Sequence, residues 1–466
     1  MVTGLLRRAP SGLACHRLRR GIVDWAEQAR QRLQGGAPLT DDLTNPVAIA
    51  YKVQGLVEQT NAKLESAARI EPSRARDALI VLMAQLSAFK QSGSGGERDR
   101  RFVGEPPARA ELESLAHYWN FAEIAYEEHV ELRKRLGALG YTLVRHDTTT
   151  DAGRVGHYVA FSPAERVAVV ALKGTSSVSD VVTDCLGQAV PVELTVPPAP
   201  GVRMHAHEGM LAAADTLADD TVDLVEHLFV PSGYRIVVCG HSLGAGTASI
   251  FGTLLRSRIT PLQQPGALHV HAFACPPVFD YDSALACAPC VPLPPMPPAL
   301  LAPLSPRPCP CAAVADVTSV VNNTDIIPRA SVANLEVMIH VLHRYDERLR
   351  EAGVDVGDKL SLAKLAVMGP DALAGLISPD ELHTIVAAAQ ADTALRDASH
   401  MFVPGRCVLL HEREAADAPG GAVGAVVGDA THPQLRLIEI DEKLLLDHLG
   451  SAYGPNFVKA LEGLQS

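Results

Sequence analysis

Arg235-Ile-Val-Val-Cys-Gly-His-Ser-Leu-Gly-Ala-Gly-Thr-Ala-Ser249 is the stretch on which the reading of this chain turns. The apolar, β-branched run from Ile236 to Cys239 reads as a buried strand, and a helix is predicted to start near Leu243. Gly240, Ser242 and Gly244 form a G-x-S-x-G between them, with His241 beside the serine. Such a turn holds a serine in a strained backbone conformation with its hydroxyl presented, and small residues two positions either side let strand and helix approach. Gly246, Ala248 and Gly252 keep one face of the helix thin. The competing reading is an ordinary strand-to-helix turn with an idle serine.

Outward from this turn, strands and helices alternate. Strands are predicted at Tyr141 to Arg145, His157 to Phe161, Arg166 to Leu172, Leu268 to Ala274 and Val314 to Val321. Later extended runs are expected at Arg406 to Leu410, Ala422 to Gly428 and Arg436 to Ile440. Helices are predicted from about Glu111 to Leu136, with Leu115, Trp119, Ala122 and Tyr126 on one stripe, from Met210 to Leu228, and from Ser331 to about Glu351. The alternation predicts an α/β fold around a mostly parallel sheet. Residues 106–466 form the expected main domain. Residues 23–96 read as a helical appendage ending in the linker Gln91-Ser-Gly-Ser-Gly-Gly96.

A serine hydroxyl becomes a nucleophile when an imidazole takes its proton, and the imidazole needs a carboxylate to fix its tautomer. In an α/β-hydrolase sheet the three arrive in the chain order Ser, Asp, His. Ser242 is followed by Asp325, at the end of the predicted Val314–Val321 strand, and by His448, after the predicted Arg436–Ile440 strand. Asp280 and Asp316 are the rival acids, and His400, His411 and His432 the rival bases. An oxyanion needs donors from two places. The backbone N–H of Leu243 is one, and the turn Lys173-Gly-Thr175 offers Thr175 as the other.

Gly-His-Ser-Leu-Gly, the strand ending in Lys-Gly-Thr and Asp-Ile-Ile-Pro-Arg329 together resemble the class 3 (fungal-type) lipases. Further stretches resemble the sn-1-specific diacylglycerol lipase branch: Val181-Val-Thr-Asp184, His207-Glu-Gly-Met210, Ala272-Phe-Ala-Cys-Pro-Pro277, Thr318-Ser-Val-Val-Asn-Asn-Thr-Asp325, Val403-Pro-Gly-Arg406 and Leu446-Asp-His448. The resemblance covers about residues 111–465. It implies an α/β-hydrolase fold, catalytic roles for Ser242, Asp325 and His448, and oxyanion roles for Thr175 and Leu243. The implied activity is hydrolysis of an acylglycerol ester at a membrane or droplet surface, without cofactor or metal. A phospholipase A1 or galactolipase on the same triad, and a catalytically silent lipid-binding scaffold, are the alternatives. Lys173 stands where the family usually has arginine, and the membrane spans of the animal diacylglycerol lipases have no counterpart, so membrane contact is expected to be peripheral.

The formal charge of −12 argues against a nucleic-acid partner, and no apolar run reaches the roughly 18 residues of a membrane-spanning helix. Residues 1–22 carry five arginines and no acid, which fits a transit peptide, a lipid-touching segment or a solvated basic terminus. A cytoplasmic or peripheral-membrane location is expected, with organelle import through that segment as an alternative. Residues 283–313 hold a proline-rich insertion, uncharged from Ser283 to Pro306, read as a greasy flap or a spacer. Its cysteines, Cys287, Cys290, Cys309 and Cys311, are compatible with zinc, a disulfide clasp or plain thiols.

Overall fold

The computed structural model describes residues 49–51, 53–55, 57–58, 70–92, 104–150, 153–175, 187–196, 203–288, 314–358, 365, 374–391, 400–413, 423–441 and 443–464. Residues 1–22, the glycines of the predicted linker, Val181–Asp184 and the insertion beyond residue 288, with Cys290, Cys309 and Cys311, lie outside them. The chain divides into two compact units: Met1–Asp99 with Ile339–Ala389, and Arg100–Met338 with Gln390–Ser466.

In the first unit, α1 (Pro72–Ser92) is tied to later residues by polar bonds. The Gln85 amide donates to the Ile377 carbonyl at 2.8 Å and accepts from the Tyr345 hydroxyl at 2.7 Å. Arg74 donates to both oxygens of the buried Asp346, at 3.1 and 2.8 Å.

The second unit is built on an eight-stranded sheet in the order β1-β2-β3-β6-β7-β8-β9-β10. Its strands are β1 (Thr142–Asp147), β2 (His157–Ser162), β3 (Val167–Leu172), β6 (Arg235–His241), β7 (Leu268–Phe273), β8 (Asp316–Asn322), β9 (Arg406–Glu412) and β10 (Val423–Gly428). From β3 to β9 the neighbours are parallel, and the antiparallel pairs lie at the two margins. Two short strands, β4 (Ala189–Pro191) and β5 (His205–His207), pair separately.

Both faces of the sheet are covered, which is why its central strands read as nearly unbroken apolar runs. Ile236 and Val238 of β6 point into one core with α4 (Glu208–Leu224) and α5 (Leu243–Arg258). Val237 and Cys239 point the other way, into a core with α2 (Arg109–Ile124), α3 (His129–Ala138) and the closing helix α9 (Gly450–Gly463). Successive side chains of a strand alternate faces, so one β-branched run supplies both cores. The parallel sheet, the helices on its two faces and the strand–serine–helix turn of β6 and α5 make this an α/β-hydrolase fold.

Two expectations fail. The predicted helix over 111–136 is two helices, because the chain turns at residues 125–128, where Tyr126 and Glu127 donate back to Glu123 and Ile124. Arg436 to Ile440 is not a strand. The neighbouring margin strand β10 pairs antiparallel with β9, and among the described residues no sheet edge receives the Leu437-Ile438-Glu439-Ile440 segment.

At the strand-to-helix turn the backbones touch. A Cβ on Gly244 would meet the Leu172 and Lys173 carbonyl oxygens at 2.6 and 2.8 Å, and main chain cannot step aside as a side chain can. Gly244→Ala is therefore expected to destabilise the second unit by about 1–3 kcal/mol. A thermal unfolding midpoint equal to wild type would show that α5 can move off β3 freely.

Candidate active site

Ser242 follows β6 and caps α5 in a conformation that few side-chain-bearing residues adopt, φ 63° and ψ −131°. Its N–H donates to the Phe273 carbonyl of β7 at 2.9 Å, and that bond to the neighbouring strand fixes the kink. A Cβ at Gly240 would overlap the Gly244 carbonyl, so the glycine pair lets α5 start directly above the strand. Gly174 is pressed into the same spot: a Cβ there would lie 2.6 Å from the His241 carbonyl and 3.0 Å from the Ser242 Cβ.

His448 meets the serine. Its Nε2 lies 2.9 Å from the Ser242 Oγ, and its Nδ1 lies 3.1 and 3.3 Å from the two carboxylate oxygens of Asp325. A carboxylate only accepts, so Nδ1 carries the proton and Nε2 is left to accept from the serine hydroxyl. All three residues are buried. Burial alone would raise the Asp325 pKa. The facing His448, the N–H of Ile327 at 3.0 Å and the hydroxyl of Tyr453 at 2.8 Å outweigh it and hold the carboxyl below its usual range.

Asp325, the expected acid, stands in a turn, Asn322–Asp325, at the end of β8. His448, the expected base, stands in a run of turns over 443–448 just before α9, with no strand leading into it, contrary to the sequence reading. Hydrogen bonds take the place of that strand. Oδ2 of Asp447 accepts from the Asn323 amide at 2.8 Å, the Thr324 N–H at 3.1 Å and the Thr324 hydroxyl at 2.7 Å. The Asn322 amide donates to the Asp447 carbonyl at 2.9 Å. Burial, with the Asp325 charge adding to it, still pushes the Asp447 carboxyl up to about 6.

Beneath the acid, Arg329 is wholly buried and donates to three backbone carbonyls, those of Asp325, Asn323 and Gln434 at 2.6, 2.8 and 2.7 Å. The Tyr453 ring stacks on Trp119 at 5.2 Å. His241 is enclosed by Trp119, Tyr453, Tyr126 and His448, with ring centroids 4.8–5.9 Å away. That burial pulls its pKa down to about 3, and the neighbouring His448 adds to the effect.

The two predicted oxyanion donors flank the serine. Leu243 is the first residue of α5, where a backbone N–H has no partner within its own helix. The Thr175 hydroxyl, one residue beyond Gly174, is buried and makes no hydrogen bond. An orphaned buried donor costs about 1–3 kcal/mol.

The rival residues lie elsewhere. Asp280 caps α6 (Tyr281–Ala286) and its other oxygen lies 3.0 Å from His205. Asp316, at the opposite end of β8 from Asp325, pairs with Arg256 at 3.1 Å. His411 is in β9, His432 caps the single turn Pro433–Leu435, and His400 lines a cavity of about 30 Å³ beside Pro328 and Arg436. Cys287 is buried at the carboxyl end of α6. Tyr126, Tyr453, Asp447 and Arg329 carry site contacts to which the sequence reading gave no role. Tyr453 is the one with a local signal, following His448 at the start of a helix.

The family model described as "Lipase (class 3)" matches residues 169–335. Over this segment the chain is similar to the class 3 lipases. The segment spans Thr175, Ser242, Leu243 and Asp325, and His448 lies beyond it. The chain is 36% identical over 95 residues to diacylglycerol lipase-beta of Mus musculus, which is 19% of this chain and 13% of that protein. Over 118 residues it is 33% identical to diacylglycerol lipase-alpha of Rattus norvegicus, 23% of this chain and 11% of that protein. The chain thus matches less than a seventh of the length of these curated relatives. Among solved structures, a Rhizomucor miehei lipase propeptide complex superposes with a TM-score of 0.44 at 16% identity, over 74% of this chain and 79% of that one. A lipase from Rhizopus microsporus var. chinensis gives 0.37 at 20%, over 50% and 75%.

The buried, neutral His241 makes this segment acid-sensitive. Its folded pKa lies below the unfolded value of about 6.5, so the unfolded chain takes up a proton that the folded chain refuses. Stability from this residue is present above that value and drains away as pH falls from about 6.5 towards 3. Denaturant unfolding measured from pH 7 to 4 should show a slope against pH that His241→Gln flattens by up to about one proton. An identical slope in the variant would mean that the imidazole charges within the fold.

Proposed function

We propose that this chain is a serine hydrolase that cleaves a carboxylic ester of an acylglycerol through an acyl-enzyme on Ser242. The observation that carries the proposal is the bridging position of His448, with one ring nitrogen on the Ser242 hydroxyl and the other on the Asp325 carboxylate. The match of residues 169–335 to the class 3 lipase model supports the ester, and the names of the curated relatives support a diacylglycerol.

In this reading the Ser242 Oγ attacks the ester carbonyl carbon as its proton passes to His448 Nε2. Asp325 holds the resulting imidazolium by its Nδ1–H. The carbonyl oxygen, now negative, faces the N–H of Leu243 together with the N–H and hydroxyl of Thr175. Collapse of the tetrahedral adduct breaks the bond to the glycerol oxygen, which leaves with the proton from His448. Water then repeats the sequence on the acyl-serine, releasing the fatty acid and restoring the hydroxyl. Thr175's unpartnered hydroxyl fits a donor waiting for charge that exists only in the transition state. No helix among the described residues is long and apolar enough to cross a membrane, and contact with the lipid surface is taken to be peripheral in this proposal.

Ser242→Ala and His448→Ala are each expected to lower turnover of a lipid ester by several orders of magnitude with an unchanged circular dichroism spectrum, and Asp325→Asn somewhat less. Comparing diacylglycerol with triacylglycerol, phospholipid and galactolipid at equal surface concentration assigns the head group. Full activity in His448→Ala would remove the mechanism, and preference for a phospholipid would remove the substrate.

Thr175→Val tests the oxyanion role separately. Loss of one donor should cost about 3 kcal/mol in the barrier, a rate loss of roughly a hundredfold, with KM little changed. A wild-type rate would confine the role to backbone N–H groups.

A further inference from the structure

A chain of hydrogen bonds runs behind the serine and is not used in the mechanism above. His241 Nε2 lies 2.9 Å from the backbone carbonyl of His448, and its Nδ1 lies 2.9 Å from the Tyr126 hydroxyl. That hydroxyl in turn accepts the N–H of Gly174 at 3.0 Å.

The proton positions along this chain follow from what each group can do. A carbonyl accepts only, so Nε2 of His241 must carry the hydrogen. The ring is kept neutral by its burial, which leaves Nδ1 as an acceptor. The Tyr126 hydroxyl must then donate to Nδ1, and its lone pair takes the Gly174 N–H. Every donor has one acceptor, and only one tautomer satisfies the set. Tyr126 reaches this position because the predicted long helix stops at Ile124 and the chain turns there.

The two ends of the chain matter for different reasons. One end is the main chain of the residue whose ring meets Ser242. The other is the turn that presents Thr175. A Cβ on Gly174 would lie 2.5 Å from the Tyr126 oxygen, so the turn is seated directly on that hydroxyl.

We infer that His241 and Tyr126 are positioning residues that tie the backbone of the base to the oxyanion turn, so that one hydrogen-bonded path sets both halves of the site. The inference rests on the serine-hydrolase reading of Ser242, Thr175 and His448. Neither residue touches substrate. Their effect is on where a donor and a base stand when charge develops, so it falls on turnover and spares binding.

The test uses the full chain, a fluorophosphonate to count reactive serines, and Ser242→Ala as the blank. Rates are expressed per labelled site, which removes any loss from misfolded protein. Tyr126→Phe should lower kcat per site by about ten- to a hundredfold with KM within about twofold. Combined with Thr175→Val, the loss should fall well short of the product of the two single losses, because both act on one donor. His241→Gln, whose amide offers both a donor and an acceptor, should keep more of the rate than His241→Leu. This pair carries the test if Tyr126→Phe does not fold.

A wild-type kcat per site in Tyr126→Phe, or losses that multiply fully with Thr175→Val, would overturn the inference while leaving the hydrolase reading intact. Equal rates in His241→Gln and His241→Leu would also overturn it. Wild type that labels no better than Ser242→Ala would overturn both readings.

Discussion

The site depends on a carboxylate that takes no part in the chemistry. His448 stands in a run of turns outside any strand or helix, and Asp447 beside it is gripped by Asn323 and Thr324 through three donors on one oxygen. The gripping turn is the one that ends in Asp325. Acid and base are thereby located relative to each other by side chains of their own neighbours, independently of the bond between their reactive atoms. Burying Asp447 is costly, as its raised pKa records, and three donors are the compensation the turn provides.

Arg329 does for the acid's turn what Asp447 does for the base's. A fully buried guanidinium spreads its hydrogens over the carbonyls of Asn323, Asp325 and Gln434, which closes the turn from below and links it to the segment after β10. Arginine suits this because its fork of donors is rigid and never loses its charge. A lysine would offer its donors from a single nitrogen and could not meet three separated carbonyls in the same way.

Much of the frame was legible. The runs in β3, β6, β7 and β8 are apolar because both faces of the sheet are covered, and the glycines of the turn are dictated by backbone contact. Chain order singled out Ser242, Asp325 and His448, with His448 within hydrogen-bond distance of the other two, although the strand expected before His448 does not form. Other features were not legible, for identifiable reasons. Tyr126 continues the apolar stripe of Leu115, Trp119 and Ala122, so periodicity extends the helix through it. What stops the helix is the turn at 125–128, with its hydroxyl on Gly174 and His241, contacts far away in sequence. The segment 436–440, with Leu437, Ile438 and Ile440, is apolar enough to read as a strand, and whether a strand forms is decided by the availability of an edge, which the segment itself does not record. Asp447 reads as a surface acid until its partners 123 and 124 residues earlier are known.

The contact between Ser242 and His448 joins residues 206 positions apart. The nucleophile turn is made of neighbours in sequence and in the sheet, whereas the base arrives only when a far later segment has been synthesised and has docked on the Asn322–Asp325 turn. Contacts of such separation carry a large loop-closure cost and form late. During biosynthesis the serine therefore spends the interval between the emergence of β6 and that of α9 without the imidazole that meets it in the folded chain. If the proposed chemistry holds, the site is in this way incomplete while the chain is being made, and is assembled in the last steps of folding.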